Sequence, residues 1–136
     1  IEMLKIIGPS IAKKAALNRT EENIKKMENY VDEFELLRKN NSERAKKLEE
    51  KFQNEIVLAA HNPVGILILK PIFKLVPEIR SLFSKNYDVY RDRTLKYNRS
   101  MLAAIKSKLQ DAAYKRMREY IEMTEEYSSE TINTTS

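Results

Sequence analysis

The stretch Pro63-Val64-Gly65-Ile66-Leu67-Ile68-Leu69-Lys70-Pro71-Ile72-Phe73-Lys74-Leu75-Val76-Pro77 divides the chain. It holds four of the six glycines and prolines in 136 residues, and Gly8 and Pro9 are the other two. Residues 10–62 and 78–136 contain neither. Proline costs about 3 kcal/mol in a helix interior and glycine about 1, so their absence permits unbroken helices. Asn62 precedes a proline and is biased away from helix. The stretch therefore reads as a bend or a run of short kinked turns, with a helical arm on either side. The expected plan is a long helical hairpin with an irregular hinge.

Apolar spacing supports helices in both arms. Ile24, Met27, Val31 and Phe34 step by 3, 4 and 3 after Thr20, a good N-cap residue type. Ala45, Leu48, Phe52, Ile56 and Ala59 step by 3, 4, 4 and 3. Asn40-Asn41-Ser42 between them weakens or breaks the helix, with Ser42 as a second N-cap candidate. After Pro77, Ile79, Leu82, Tyr87, Tyr90, Tyr97, Met101, Ile105, Leu109, Ala113, Met117 and Tyr120 continue the pattern. An unbroken helix over 78–126 would span roughly 70 Å at 1.5 Å per residue, which suits a coiled coil or an elongated dimer. The alternative is a break near Asn98 or Asp111 and a compact bundle.

The fold class expected on these grounds is all-α. It is a long kinked hairpin or a coiled-coil-like helical bundle, completed by helix–helix contact within the chain or with a second copy, a homodimer. One domain is expected over 1–127. The tail, 128–136, lacks apolar periodicity and is expected to be disordered. The chain begins at Ile1 rather than Met, which fits a fragment of something longer.

Composition narrows function mainly by exclusion. The absence of Cys removes disulfides and zinc–thiolate sites. His61 is the only histidine, so no His pair exists, and its plain reading is a polar residue ending a helix. No Gly-rich phosphate loop is present. Glu21, Glu22, Glu49 and Glu50 sit in mixed-charge helix and read as solvated. No enzyme, no cofactor and no metal site is expected.

Charge is uneven. The net charge is +5 overall, yet residues 56–118 carry thirteen basic and four acidic groups. Residues 119–136 carry five acidic groups and no basic one. The basic block singles out Lys70, Lys74, Arg80, Lys85, Arg91, Arg93, Lys96, Arg99, Lys106 and Lys108 as candidates for binding an anionic surface. These residues spread over most of the non-apolar arc rather than forming a tight stripe. Tyr87, Tyr90 and Tyr97 lie among them, but they continue the apolar pattern and read as core. No recognition helix or RNA-binding signature is present, so nucleic acid is not the expected partner. The apolar run at 64–76 reads as the buried kink of the hairpin, with an interfacial membrane segment as the alternative.

Leu67-Ile68-Leu69-Lys70-Pro71-Ile72-Phe73-Lys74, then Glu78-Ile79-Arg80, residues 85–92 and Tyr97-Asn98 resemble the middle of a BAR-superfamily domain. Residues 45–61 resemble the helix leading into that proline in the F-BAR branch. The likeness covers about 45–110. It implies antiparallel dimers of kinked helices whose basic surface binds anionic membrane and senses or imposes its curvature. A complete BAR monomer is longer than this chain, so the likeness implies either a fragment or shared helical chemistry alone. The function expected from charge and resemblance together is a non-enzymatic scaffold on anionic phospholipid, cytoplasmic and peripheral to the membrane. The alternative is a helical protein–protein interaction module with no lipid role.

Overall fold

A computed structural model describes the backbone of residues 2–38, 41–83 and 88–135, and the side chains of 2–38, 41–75 and 90–126. Among the described residues the chain is all helix, in the order α1 (Glu2–Asn18), α2 (Glu21–Leu36), α3 (Ser42–Ala59), α4 (Pro63–Phe83), α5 (Asp88–Lys106) and α6 (Gln110–Thr135). The all-α class is as expected. Of the two arrangements left open, the chain adopts the bundle.

The bend did not fall where the prolines are. Residues 63–77 lie inside α4. Pro63 is its first residue, where a missing N–H loses nothing. Asn62 supplies the start, its Oδ1 accepting from the N–H of Val64 at 3.1 Å and of Gly65 at 3.2 Å. Pro71 stands in the interior and removes one helical hydrogen bond. Leu69 and Phe73, on either side of it, are fully buried, and that burial holds the segment helical.

The expected 70 Å helix is interrupted instead at 107–109, beside Asp111. There the chain closes a Schellman turn. Leu109 N–H donates to Ala104 C=O at 2.8 Å and Lys108 N–H to Ile105 C=O at 3.1 Å. Lys108 takes the left-handed position, at φ 57°. His61, just past α3, does the same at φ 54°. By its bounds α6 runs to Thr135, across the tail expected to be disordered, but the side chains beyond 126 lie outside the described residues.

Each helix buries its stripe within the chain. α1 packs on α6 and α3, α2 on α3 and α5, α4 on α3 and α6, and α5 on α6. α1 can approach closely because Gly8, Ala12, Ala15 and Ala16 are small and buried. A Cβ added at Gly8 would lie 2.8 Å from Ile121 Cδ1, so glycine sets the spacing of α1 and α6 there. The stripes read from sequence are core: Ile24, Met27, Val31 and Phe34 on α2, and Ala45, Leu48, Phe52, Ile56 and Ala59 on α3, are all buried. Tyr90, Met101, Ile105, Ala113, Met117 and Tyr120 are buried as well. Leu109 is exposed in the turn. Ile79, Leu82 and Tyr87 lie outside the described side chains.

Candidate functional site

The core is not uniformly apolar. On α3 a second buried row runs one residue behind the apolar stripe: Lys46, Glu49, Gln53, Val57 and Ala60. It repeats the same steps of 3, 4, 4 and 3, so α3 buries a double-width face. Glu49 and Gln53 are each 1% exposed. On α5, Thr94 and Asn98 are buried one turn apart, in phase with Met101 and Ile105. On α6, Tyr120 and Thr124 are buried one turn apart, in phase with Ala113 and Met117. Three helices thus each turn a polar pair inward.

These pairs meet. Tyr120 Oη donates to Glu49 Oε1 at 2.5 Å, linking α6 to α3. Gln53 Nε2 donates to Asn98 Oδ1 at 3.4 Å, linking α3 to α5. The first contact is short, and the second lies near the outer limit of a hydrogen bond. Thr124 Oγ1 donates back to the Tyr120 carbonyl at 3.1 Å, which leaves its methyl group to pack. Gln53 Oε1 is buried with no hydrogen-bond partner. A buried, unsatisfied amide oxygen costs roughly 1–3 kcal/mol, so it needs a reason. Among the described residues α3 does not pack closely on α5 or α6. Long polar side chains, not helix backbones, bridge this part of the core.

Sequence reading missed this cluster. Glu49 was read as solvated and is buried. Gln53 was not singled out, and Asn98 was named as a possible helix break and within the BAR resemblance, although both fall in step with buried neighbours. Tyr120 was placed in the core correctly, without its hydroxyl's role. Among the described residues no group of three or more His, Cys, Asp or Glu could hold a metal ion.

The residues proposed for an anionic surface are divided between paired and exposed positions. Arg91 is buried, 7% exposed, and closes the end of α2: its Nη2 donates to Leu37 C=O at 2.6 Å and Phe34 C=O at 3.1 Å. Its guanidinium lies over the Phe34 ring, 5.6 Å from the centroid. Arg99 pairs with Asp32 at 2.8 Å and Glu35 at 2.7 Å, both on α2. Burial opposes its charge, but those two carboxylates together raise its pKa further. Lys106 pairs with Glu28 on α2 at 3.6 Å, and Arg93 with Glu126 on α6 at 3.8 Å. Lys96 is exposed on α5, and Lys108 is exposed in the turn. Lys70 and Lys74 are exposed on α4, beside an open groove that Glu50 also lines. The side chain of Arg80, and Lys85 altogether, lie outside the described residues. Carboxylates of α2 and α6 thus pair with Arg93, Arg99 and Lys106 of α5. No described helix is long and apolar enough to cross a membrane.

The fold and the cluster define a class: an all-helical domain with a set of polar side chains buried at its centre. The family model of the FCD domain matches residues 1–123, and the chain belongs to that family. FCD domains are the regulatory, effector-binding domains of GntR-type transcription regulators. No curated protein and no solved structure matches the chain. The family assignment overturns the BAR and F-BAR resemblance, and with it the membrane scaffold and the anionic phospholipid partner. What the sequence shared with BAR domains was helical chemistry: long amphipathic segments, a proline and many basic residues.

Proposed function

We propose that this chain senses a small-molecule effector for a GntR-type transcription regulator and holds it in the polar core between α3, α5 and α6. The observation that carries this reading is the buried set Glu49, Gln53, Asn98 and Tyr120 at the centre of an FCD bundle. An apolar core of the same volume would be more stable, so inward polar groups point to recognition. The weak Gln53–Asn98 contact is the one a ligand most easily replaces. A ligand bonded to both α3 and α5 favours one spacing of those helices over others. That differential affinity is what shifts a two-state regulator. A DNA-binding unit reads the shift.

Thermal unfolding against a library of small metabolites tests this, with anionic vesicle co-sedimentation alongside. At a hundredfold excess over Kd a ligand specific for the native state adds about 2.7 kcal/mol, which is readily seen. The expected result is saturable stabilisation by at least one compound and no pelleting with vesicles. Vesicle binding without any small-molecule response would overturn the reading.

A further inference from the structure

We propose that the outward face of α4 is a docking surface for an acidic amphipathic helix of another polypeptide, a site separate from the polar core. α4 carries two apolar rows. Leu69 and Phe73 enter the core. Val64, Ile68, Pro71 and Leu75, turned away from it, follow one another at steps of 4, 3 and 4, and all four are exposed. Leu67 stands beside Ile68 and is 77% exposed, and Val64 is 63% exposed. Steps of this kind make the apolar seam along which one helix packs on another. A helix with apolar residues on its outer side as well as its inner one is ordinarily covered, so this face calls for a partner.

Charge sets the kind of partner. Lys70 and Lys74 lie one turn apart along one edge of the seam, and both are exposed. Neither pairs with a carboxylate among the described residues. Residues 63–75 contain no Asp or Glu. Beside the two lysines runs an open groove of about 530 Å³ between α4 and α3, lined also by Leu67, Pro71, Glu50 and Asn54. Glu50 already pairs with Lys47 at 3.6 Å. Asn54 Oδ1 is buried without a hydrogen-bond partner, an acceptor open to a donor from the groove. The complementary occupant lays apolar side chains on Val64, Leu67 and Leu75, sets carboxylates against Lys70 and Lys74, and brings a donor to Asn54. A second copy of α4 matches less well. Two copies face to face bring both pairs of lysines along one seam, with no carboxylate of 63–75 to meet them.

Fluorescence anisotropy on the whole chain tests this with two families of designed helical peptides. Both families carry leucines at steps of 4 and 3. One has glutamates on the flanks of that seam, and the other has lysines. Two variants accompany the wild type: Leu67→Ser, and the double charge reversal Lys70→Glu with Lys74→Glu. All three positions are exposed, and thermal unfolding checks that each variant stays folded. The expected result is saturable binding of glutamate peptides, weakening as salt rises, and no binding of lysine peptides. Leu67→Ser should weaken that binding roughly tenfold or more. The charge reversal should exchange the preference, so that the lysine peptides bind instead. Equal binding of both families, or a preference that the reversal leaves in place, would overturn the acidic partner. Self-association by light scattering that Leu67→Ser abolishes would give the face to a second copy and overturn it as well. Binding of neither family by a monomeric chain would remove the docking surface altogether.

Discussion

At the scale of single residues, the Glu49–Tyr120 contact joins α3 to α6 through two buried side chains. Tyr120→Phe removes the donor and keeps the ring. Leaving a buried polar group without its partner costs about 1–3 kcal/mol, so chemical denaturation should show a loss of that order with an unchanged slope. A loss below about 0.5 kcal/mol would mean that the other contacts of Glu49 satisfy it without Tyr120. The residues of this cluster were only half legible in the sequence. Tyr120 fell on an apolar stripe and so was placed in the core. Glu49 stands beside Glu50 in a run of alternating charge, and such runs are ordinarily solvated. What marks it is phase: Lys46, Glu49, Gln53 and Val57 repeat the spacing of Ala45, Leu48, Phe52 and Ile56 one position later. A helix buried on a wide face produces that doubled pattern, but nothing local distinguishes a buried polar row from an exposed one.

At the scale of elements, starts were read unevenly, since Ser42, the second N-cap candidate, is instead the first residue of α3 after Asn41. Thr20 was recognised as an N-cap, and it forms a reciprocal capping box with Asn23 ahead of α2. Thr20→Ala should cost about 1 kcal/mol of unfolding free energy by denaturant titration. The ends of α3 and α5 carry no glycine. His61 and Lys108 take the left-handed position instead, so the stops near Asn62-Pro63 and Asp111 lacked the usual glycine. His61→Gly and Lys108→Gly should each be stabilising by up to about 1 kcal/mol, because glycine adopts that conformation without the Cβ penalty. A destabilisation from either would show that its side chain contributes contacts outweighing the strain. The prolines misled in the opposite direction. Pro63 begins α4 and Pro71 sits within it, where buried Leu69 and Phe73 outweigh local propensity. Tertiary burial settles such cases, and it cannot be read from a breaker count.

At the scale of the whole molecule, the charge pattern is internal wiring. Arg99 and Lys106 of α5 face Asp32, Glu35 and Glu28 of α2, and Arg91 closes the end of α2. These pairs are partly exposed, so each contributes less than about 1 kcal/mol and weakens with salt. Arg44, hydrogen-bonded to Glu33, holds that carboxyl below the usual carboxylate range. A depressed folded pKa stabilises above the unfolded value, and the gain is lost as pH falls through the folded one. Stability should therefore decline on acidification below about pH 4.5, where unfolded glutamates begin to take up protons. Glu33→Gln should flatten the decline slightly, in denaturant titrations run between pH 6 and pH 3. An unaltered pH slope would show that this exposed pair contributes nothing measurable.

The central claim is that the polar core is where an effector sits, and hydrogen–deuterium exchange tests it most directly. A compound that stabilises the chain in thermal unfolding is added, and exchange is compared with and without it. Ligand seated between α3, α5 and α6 should slow exchange around residues 49–53, 94–98 and 120–124, and the Gln53→Met chain should not show it. Protection confined to the exposed side of α4, with the three polar turns unchanged, would contradict the account.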